Sequence, residues 1–238
     1  MFYGGLMGYY FDPTWILVII GAVLSMAASA KVNSTFSKYS KVRSMTGMTG
    51  EDAAKRLLNS QGIYDVTVRP VKGQLTDHYD PRTKTVNLSE SVFHSTSVAA
   101  IGVAAHECGH AMQDNVGYVP LKLRGAIVPV ANIGSQAAFP LIIIGVLIGG
   151  MGSPLVNIVL ILCSLAVIFQ LITLPVELNA SRRAITLLDQ VGILGGQEVN
   201  QTRKVLGAAA LTYVAALAAS VLQLLRLVIL FGGRRDND

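Results

Sequence analysis

Charge is scarce in this sequence of 238 residues. Only 14% of the side chains are charged, whereas soluble domains have about 25%. So little charge excludes a disordered tail, a coiled coil or a basic surface for nucleic acid, and we expect no nucleic-acid partner. The composition is instead that of a membrane protein, since 52% of the residues are hydrophobic.

Cysteine is scarce as well. The two cysteines, Cys108 and Cys163, stand alone in an apparent helix and in a long apolar run. They have no CxxC spacing, and two isolated cysteines do not make a disulfide framework. The sequence therefore gives no sign of redox chemistry.

Long apolar stretches dominate what is present. A helix rises about 1.5 Å per residue, so about 20 apolar residues cross a bilayer core of about 30 Å. Four stretches are long enough, and they predict a mainly α-helical membrane protein with about four transmembrane helices in contact with the lipid bilayer. They are Thr14–Ala30, about Ile133–Gly150, Leu155–Leu174 and Gly207–Phe231.

The first stretch has two interpretations. Aromatic residues around Trp15 form a belt at its N-terminal edge, as is typical of membrane interfaces. The alternative is a cleaved signal peptide, because Ala28, Ser29 and Ala30 have the small-residue spacing of a cleavage site. A signal peptide begins with positive charge, however, and Asp12 is the one charged residue before this run. We therefore favour a transmembrane helix.

The position of positive charge predicts the topology. Lys31, Lys38, Lys41 and Arg43 follow the first span, and no Lys or Arg precedes it. Loops rich in Lys and Arg stay in the cytoplasm. We therefore expect a multi-pass protein of the plasma membrane in which the loop after the first span is cytoplasmic. The predicted segments are a short extracytoplasmic N-terminus (1–13), the first span (14–30), a cytoplasmic loop (31–125), two spans (126–174), a second cytoplasmic segment (175–206) and the last span (207–231).

The cytoplasmic loop has a mixed pattern. Thr49, followed by Asp52, predicts the N-cap of a short helix that ends at Gly62. Beyond it, alternating β-branched residues predict two strands, turn residues separate them, and a largely buried helix follows. These elements are Tyr64–Arg69, Lys84–Leu88, Tyr79–Arg82 and Ser95–Gln113 respectively. We therefore expect a small cytoplasmic α+β element.

The last of these helices contains an HExxH motif. His106 and His110 are four residues apart, so both imidazoles lie on one helix face and can bind one zinc ion. Glu107 points about 100° away from His106, where it can act on a water without taking a metal position. Cys108 lies on the opposite face and is expected in the core. The alternative is a buried helix with two histidines satisfied by hydrogen bonds.

A catalytic zinc has three protein ligands, so the motif lacks one. Glu177 is the best candidate, because two spans separate it from the histidines and so return it to their side of the membrane. Pro175 is expected to start the helix that carries it. In the alternative, Glu177 only pairs with a neighbouring arginine, Arg182 or Arg183, at the membrane surface. If another residue completes the site, Asp77 and His78 are first in line.

Three segments support a family resemblance. Residues 73–88, 98–113 and 174–183 closely resemble bacterial integral-membrane zinc metallopeptidases of the YugP type, and the likeness covers nearly the whole chain. More distantly, the plan is similar to the integral-membrane gluzincins that include the CAAX prenyl proteases, whose third ligand is the Glu of an ExxxD motif. Ser181 stands at the position of that Asp, so Asn179 or Ser181 is expected to take its supporting role.

The resemblance also implies a substrate-binding strand. In gluzincin-like proteases an edge strand before the active helix pairs with the substrate backbone. Thr85, Val86 and Asn87 occupy the corresponding place here. The alternative is a strand with a purely structural role.

These observations predict a membrane-embedded zinc metallopeptidase, with Glu107 catalytic and His106, His110 and Glu177 as metal ligands. It would hydrolyse peptide bonds of membrane-associated proteins or peptides near the cytoplasmic face. The alternative is a non-catalytic membrane scaffold stabilised by zinc. An oxyanion donor is also needed, and the candidates are His78, Tyr79, Tyr118 and Arg182. The sequence does not indicate the substrate or the oligomeric state.

Overall fold

A computed structural model describes residues 12–129 and 154–232, together with Leu141 and Ile144. The chain divides into two compact units. The sheet-bearing unit comprises Ala28–Leu123 and Thr173–Thr212, and the apolar-helix unit comprises Met1–Ala27, Arg124–Ile172 and Tyr213–Asp238. The site described below lies within the sheet-bearing unit.

The described residues are mostly helical, with one small sheet. The helices are α1 (Trp15–Tyr39), α2 (Gly50–Ser60), α3 (Glu90–Phe93), α4 (Val98–Asn115), α5 (described at 119–129), α6 (Pro154–Gln190) and α7 (Gln197–Gly232). The strands are β1 (Thr67–Val71), β2 (His78–Asp80) and β3 (Thr85–Ser89).

Three of the described helices are long and apolar enough to cross a membrane. They are α1, residues Asn157–Gln190 of α6, and residues Gln197–Phe231 of α7, with mean hydropathies of 2.0, 2.5 and 2.3. Only 11% of the residues in the most apolar window of each helix are buried, as expected for contact with lipid. The predicted span at about Ile133–Gly150 lies outside the described residues except for Leu141 and Ile144, so a fourth span stays a prediction.

The long helices extend beyond the apolar runs that predicted them. Helix α1 continues past Ala30 to Tyr39, and α7 begins at Gln197, ten residues before the predicted span. The prediction that Pro175 starts a new helix is wrong, because Pro175 lies inside the continuous helix α6. Proline removes one backbone hydrogen bond, but the residues on both sides favour a helix, and apolar helices tolerate such an interruption.

The sheet has the order β1-β3-β2, with β1 parallel and β2 antiparallel to β3. The sequence did not predict β2, because its last two residues were assigned to the turn. That turn lies at residues 81–84, where Asp80 accepts hydrogen bonds from the Arg82 backbone N–H and the Thr83 hydroxyl, both at 2.9 Å. An aspartate that caps its own turn is common in short hairpins.

The topology corrects the prediction of a substrate-binding edge at residues 85–87. Thr85, Val86 and Asn87 belong to β3, the central strand, and each is paired on both sides. Val86, for example, pairs with Val68 of β1 and with Tyr79 of β2. A strand between two neighbours has no free backbone groups for a peptide.

Helix α4 is the centre of the sheet-bearing unit. The Ser97 hydroxyl caps its N-terminus by accepting from the Ala100 backbone N–H. Helix α2 packs against α4, and the predicted capping box of Thr49 and Asp52 caps the N-terminus of α2. Most of α4 is buried in the core. The histidine motif is thus carried by a helix that is fixed on several sides.

A polar cluster ties the hairpin to the C-terminal end of α4. The Tyr79 hydroxyl and the Lys84 ammonium both donate to Oδ2 of Asp114, at 2.8 and 2.7 Å. Lys84 also lies 3.9 Å from the Asp65 carboxylate. Lys84 adopts φ +51°, a conformation that costs free energy in a residue other than glycine. The cluster offsets this cost and fixes β2 against α4.

Within the apolar-helix unit, α1 packs closely on α7. A Cβ added to Gly21 would lie 3.2 Å from the Cα and Cβ atoms of Ala219. Arg226 lies 3.4 Å from the Asp12 carboxylate, and its guanidinium lies 4.3 Å from the centre of the Trp15 ring. Both neighbours stand at the predicted N-terminal edge of the first span, where a charged side chain reaches the interface.

Candidate metal centre

The two histidines of α4 lie one helical turn apart on the same face. The ring centres of His106 and His110 are 4.8 Å apart, with the planes nearly perpendicular. Both side chains are largely buried. Helical spacing alone brings two imidazole nitrogens together, as the sequence predicted.

The third group comes from α6. Oε2 of Glu177 lies 3.1 Å from Nε2 of His106 and 3.6 Å from Nε2 of His110. Only 2% of the Glu177 side chain is exposed. Its carboxylate therefore faces the histidines, so the alternative in which Glu177 does no more than pair with Arg182 or Arg183 at the membrane surface does not hold.

Gly109 allows this approach of the two helices. A Cβ at this position would lie 2.5 Å from the carbonyl oxygen of Ala180 on α6. Such a distance is a steric clash, so any larger residue would separate α4 from α6. The Glu177 carboxylate reaches the histidines because Gly109 has no side chain.

The three groups fit a zinc ion. One ligand atom from each of His106, His110 and Glu177 can be chosen so that all lie within 4.8 Å of one another. Zinc bonds of about 2.0–2.1 Å in tetrahedral geometry place neighbouring ligand atoms roughly 3.3 Å apart. The distances of 3.1 and 3.6 Å lie on either side of that value. Two imidazoles and one carboxylate are also the ligand set of many catalytic zinc sites.

The electrostatics of the site favour a cation. Burial by itself lowers the pKa of His110, but its hydrogen bond to Glu177 and the negative charges of Glu107 and Glu177 outweigh burial, so that the pKa is raised. The charged groups around the ring are therefore negative. A divalent cation would be stabilised by the same charges.

Cys108 is not part of this cluster. Its thiol is completely buried, and burial, with the charge of Glu107, raises its pKa. The Sγ atom lies 3.6 Å from the carbonyl oxygen of Ala54 on α2, to which the thiol donates. Cys108 therefore packs between α4 and α2, as the sequence predicted from its place on the helix.

Each histidine is held at its other nitrogen. Nδ1 of His106 lies 3.0 Å from the Ser181 hydroxyl, a contact that fits the supporting role expected of Asn179 or Ser181. Nδ1 of His110 lies 3.0 Å from Oε1 of Gln113, a residue that the sequence reasoning missed. The sequence spacing could have indicated this contact, because residue 113 lies three positions after His110 and so on the same helix face. Such bonds fix ring orientation in metal sites.

The other polar residues near the motif have partners elsewhere. Asp77 accepts from the Ser89 backbone at 2.7 Å, and His78 donates to the Thr76 carbonyl oxygen at 2.8 Å. Neither belongs to the metal cluster found among residues 12–129 and 154–232. Glu177, and not Asp77 or His78, is therefore the third member of this cluster.

Glu107 has an unusual environment. Its side chain is only 8% exposed, yet none of the hydrogen bonds or ion pairs found within the described part of the chain involves its carboxylate. Buried carboxylates are normally hydrogen-bonded. An acid left without a partner beside a metal cluster is available to act on a bound molecule.

Comparison with known proteins agrees with this site. Residues 14–232 match the model of a family described as "Putative neutral zinc metallopeptidase", and the chain belongs to this family. It is also 49% identical over 222 residues to a protein of Bacillus subtilis (strain 168) named "Putative membrane protease YugP", a match that covers 93% of this chain and 98% of that protein. No solved structure matches the chain. The resemblance found in the sequence is thus confirmed, and with it zinc as the metal of the family. The cluster of His106, His110 and Glu177 could hold such an ion.

Proposed function

We propose that this protein is a membrane-embedded zinc endopeptidase that cleaves membrane-associated proteins or peptides. The observation that carries the proposal is the convergence of His106, His110 and Glu177, with the unpartnered Glu107 beside them on α4. This arrangement provides three metal ligands and one free acid. A purely structural zinc site normally has four protein ligands and needs no such acid.

The residues have separate tasks in the proposed reaction. When bound, zinc supplies a Lewis acid that activates water and polarises the scissile carbonyl. Glu107 takes a proton from the water as the water oxygen bonds to the carbonyl carbon. It then passes that proton to the nitrogen of the scissile peptide bond as the C–N bond breaks. His78 and Tyr79 are bonded elsewhere, so Tyr118 and Arg182 remain as candidate oxyanion donors.

We place the reaction at the cytoplasmic surface of the plasma membrane. Lys31, Lys38, Lys41 and Arg43 support this orientation through the distribution of positive charge. Along α6, Glu177 follows the apolar run that ends at Leu174 by three residues, a rise of about 5 Å. A metal ligand so near the end of a span favours substrates that lie in or along the membrane.

We propose β2, in place of the central strand β3, as the strand that pairs with the substrate backbone. In the described sheet, β1 and β2 are the outer strands, and β1 contains Pro70, which has no N–H to donate. Strand β2 also lies against α4 through the bond from Tyr79 to Asp114. If a peptide pairs with β2, hydrogen exchange of the β2 amides should slow when peptide binds the inactive E107Q variant. Unchanged exchange with peptide bound would rule out this strand.

Glu107→Gln is the test of the main proposal. Purified in detergent, wild-type protein and the variant are each incubated with washed membranes, and new protein termini are identified by mass spectrometry. We expect wild type, but not the variant, to produce new termini, while emission spectroscopy finds one zinc per chain in both. Equal zinc content with no cleavage by wild type would instead support the zinc-stabilised scaffold.

A further inference from the structure

Gln113, on the helix of the two histidines, makes three hydrogen bonds with its side chain. It is fully buried. Its Nε2 donates to the carbonyl oxygen of Val176 at 2.8 Å and to Oδ1 of Asn179 at 3.0 Å, and its Oε1 lies 3.0 Å from Nδ1 of His110. The amide thus uses both of its N–H groups and its oxygen. A buried amide with three partners has a single allowed orientation.

Two groups impose that orientation, because one can only accept a hydrogen bond and the other can only donate one. The carbonyl oxygen of Val176 can only accept a hydrogen bond, so Gln113 must turn its NH2 group towards it. At the other end, Nε of Arg183 donates to Oδ1 of Asn179 at 2.8 Å. Since a guanidinium can only donate, the Asn179 oxygen must face Arg183 as well as Gln113.

The order of donors and acceptors fixed in this way continues to His110 at the metal centre. With its NH2 group committed to Val176 and Asn179, Gln113 presents its oxygen to His110. Nδ1 of His110 must then carry the hydrogen, which leaves Nε2 as the bare nitrogen on the side of Glu177. A neutral imidazole with a free Nε2 is the form that binds zinc.

We propose that Gln113, oriented by Asn179 and Arg183, is a positioning residue that sets the tautomer and the angle of His110 for metal binding. The proposal rests on the metal-binding role assigned to His110 above. It goes further by assigning a function to three residues outside the set of His106, His110 and Glu177. They act only through His110.

The two histidines are held differently, which gives the proposal an internal comparison. Ser181 supports His106 through a hydroxyl, and a hydroxyl can either donate or accept. It does not by itself impose a tautomer. Removal of Gln113 should therefore weaken the metal site more than removal of the Ser181 hydroxyl.

The first test is Gln113→Met, which keeps the size of the side chain and removes its hydrogen bonds. The matched control is Gln61→Met, because Gln61 is exposed and lies at the end of α2. Zinc affinity is measured on purified protein by competition with a chromophoric chelator. We expect Gln113→Met to weaken zinc binding by about tenfold to a hundredfold, with Gln61→Met equal to wild type. Equal affinity of folded Gln113→Met and wild type would overturn the proposal.

The second test uses Asn179, whose side-chain oxygen accepts hydrogen bonds from Gln113 and from Arg183. Asn179→Asp keeps an acceptor for Gln113 and Arg183, whereas Asn179→Leu removes it. We expect Asp to retain most of the zinc affinity and to keep the visible absorption spectrum of the Co²⁺-substituted protein. Leu should lower the affinity and change that spectrum, which reports the geometry around the metal. If Asp and Leu behaved alike, the oxygen of residue 179 would have no positioning role.

These outcomes separate the inference from the proposed function. Wild-type protein that binds zinc and cleaves peptides, with Gln113→Met binding equally well, would leave the peptidase intact and remove the positioning role. Wild-type protein that binds no zinc would remove both. Thermal unfolding of each variant in detergent shows whether a low affinity reflects the site, and if Gln113→Met does not fold, the Asn179 pair decides.

Discussion

The Ser181 hydroxyl lies 3.0 Å from Nδ1 of His106, four residues after the carboxylate of Glu177 on the same helix. One helical turn therefore carries both a metal-facing acid and the group that orients a histidine. Glu177 contacts Nε2 of the ring, and Ser181 contacts its opposite nitrogen. In the ExxxD arrangement that the sequence resembles, an aspartate stands at this position. Here a neutral hydroxyl replaces that carboxylate.

Ser181→Ala should weaken the site without destroying it. The variant removes the hydroxyl beside His106 and leaves all three ligands, so zinc affinity should fall by about tenfold, near the lower limit for losing a supporting group. Ser34→Ala is the control, since the Ser34 hydroxyl is exposed and donates to the Lys31 carbonyl oxygen of its own helix. Chelator competition measures both. A Ser181→Ala protein with the affinity of wild type would show that the contact has no effect on binding.

Glu177→Ala should remove the metal. Loss of one of three ligands leaves two histidines, which hold zinc weakly, so both zinc and peptidase activity should disappear. Glu90→Ala, at an exposed glutamate of α3, is the control and should retain both. Zinc content by emission spectroscopy after dialysis gives the result. One tightly bound zinc in folded Glu177→Ala would mean that the third ligand is another residue.

Gly109→Ala should push α4 away from α6. The added methyl group would meet the Ala180 carbonyl oxygen at 2.5 Å, and overpacking of this kind costs about 1–3 kcal/mol. We expect a lower unfolding temperature in detergent together with lower zinc affinity. Gly207→Ala, in a helix and with no neighbour within 4 Å, should be neutral or slightly stabilising. If the two variants unfolded at the same temperature, the helices would not be in close contact at Gly109.

The cluster of Lys84, Asp114 and Tyr79 should make stability depend on pH. The hydrogen bond to Asp114 raises the pKa of Lys84 above 10.5. Its stabilisation is therefore complete below pH 10.5 and is lost as the pH rises through the folded-state value. Burial alone would raise the pKa of Asp114, but the bonds from Lys84 and Tyr79 lower it below 3.8, so its stabilisation is lost in acid.

Lys84→Met tests this dependence. The variant should unfold at a lower temperature than wild type near neutral pH, and the difference should shrink above about pH 10.5 and below about pH 4. Unfolding followed by circular dichroism in detergent from pH 3 to 11 provides the measurement. The effect should be modest, because the side chain of Lys84 is 39% exposed and solvent screens the pair. A difference that did not change with pH would indicate a packing effect.

A cysteine at residue 60 tests the topology. Ser60 is exposed at the end of α2, and the variant is made after both Cys108 and Cys163 have been replaced by alanine. The positive charge after the first span predicts that this loop is cytoplasmic, so impermeant thiol reagents should not label intact cells. Labelling should appear once the membrane is permeabilised. Rapid labelling of intact cells would place the sheet-bearing unit outside.

Local patterns predicted the parts of the site that depend on one element. The spacing of His106 and His110 required only a helix, and Thr49 with Asp52 required only a capping box. Glu177 was predicted from a topology in which two spans return the chain to the side of the histidines. Each of these arguments uses contacts close in sequence, or one topological rule.

The features that the sequence did not predict depend on tertiary contacts. Gln113 supports His110 only because α6 brings Val176 and Asn179 to its amide. The central place of β3 depends on β2, a strand of three residues with too little pattern to be recognised. Pro175 was expected to begin a helix because proline is common at the first helical position, but the helix continues through it from Pro154 to Gln190.

The ligands of the metal centre are made at different times during synthesis. His106 and Glu177 are 71 residues apart in the chain, and the ribosome must complete most of α6 before the carboxylate exists. A nascent chain that ends before residue 177 has two histidines and no closed site. The proposed peptidase therefore cannot act on any substrate until Glu177 has been added to the chain.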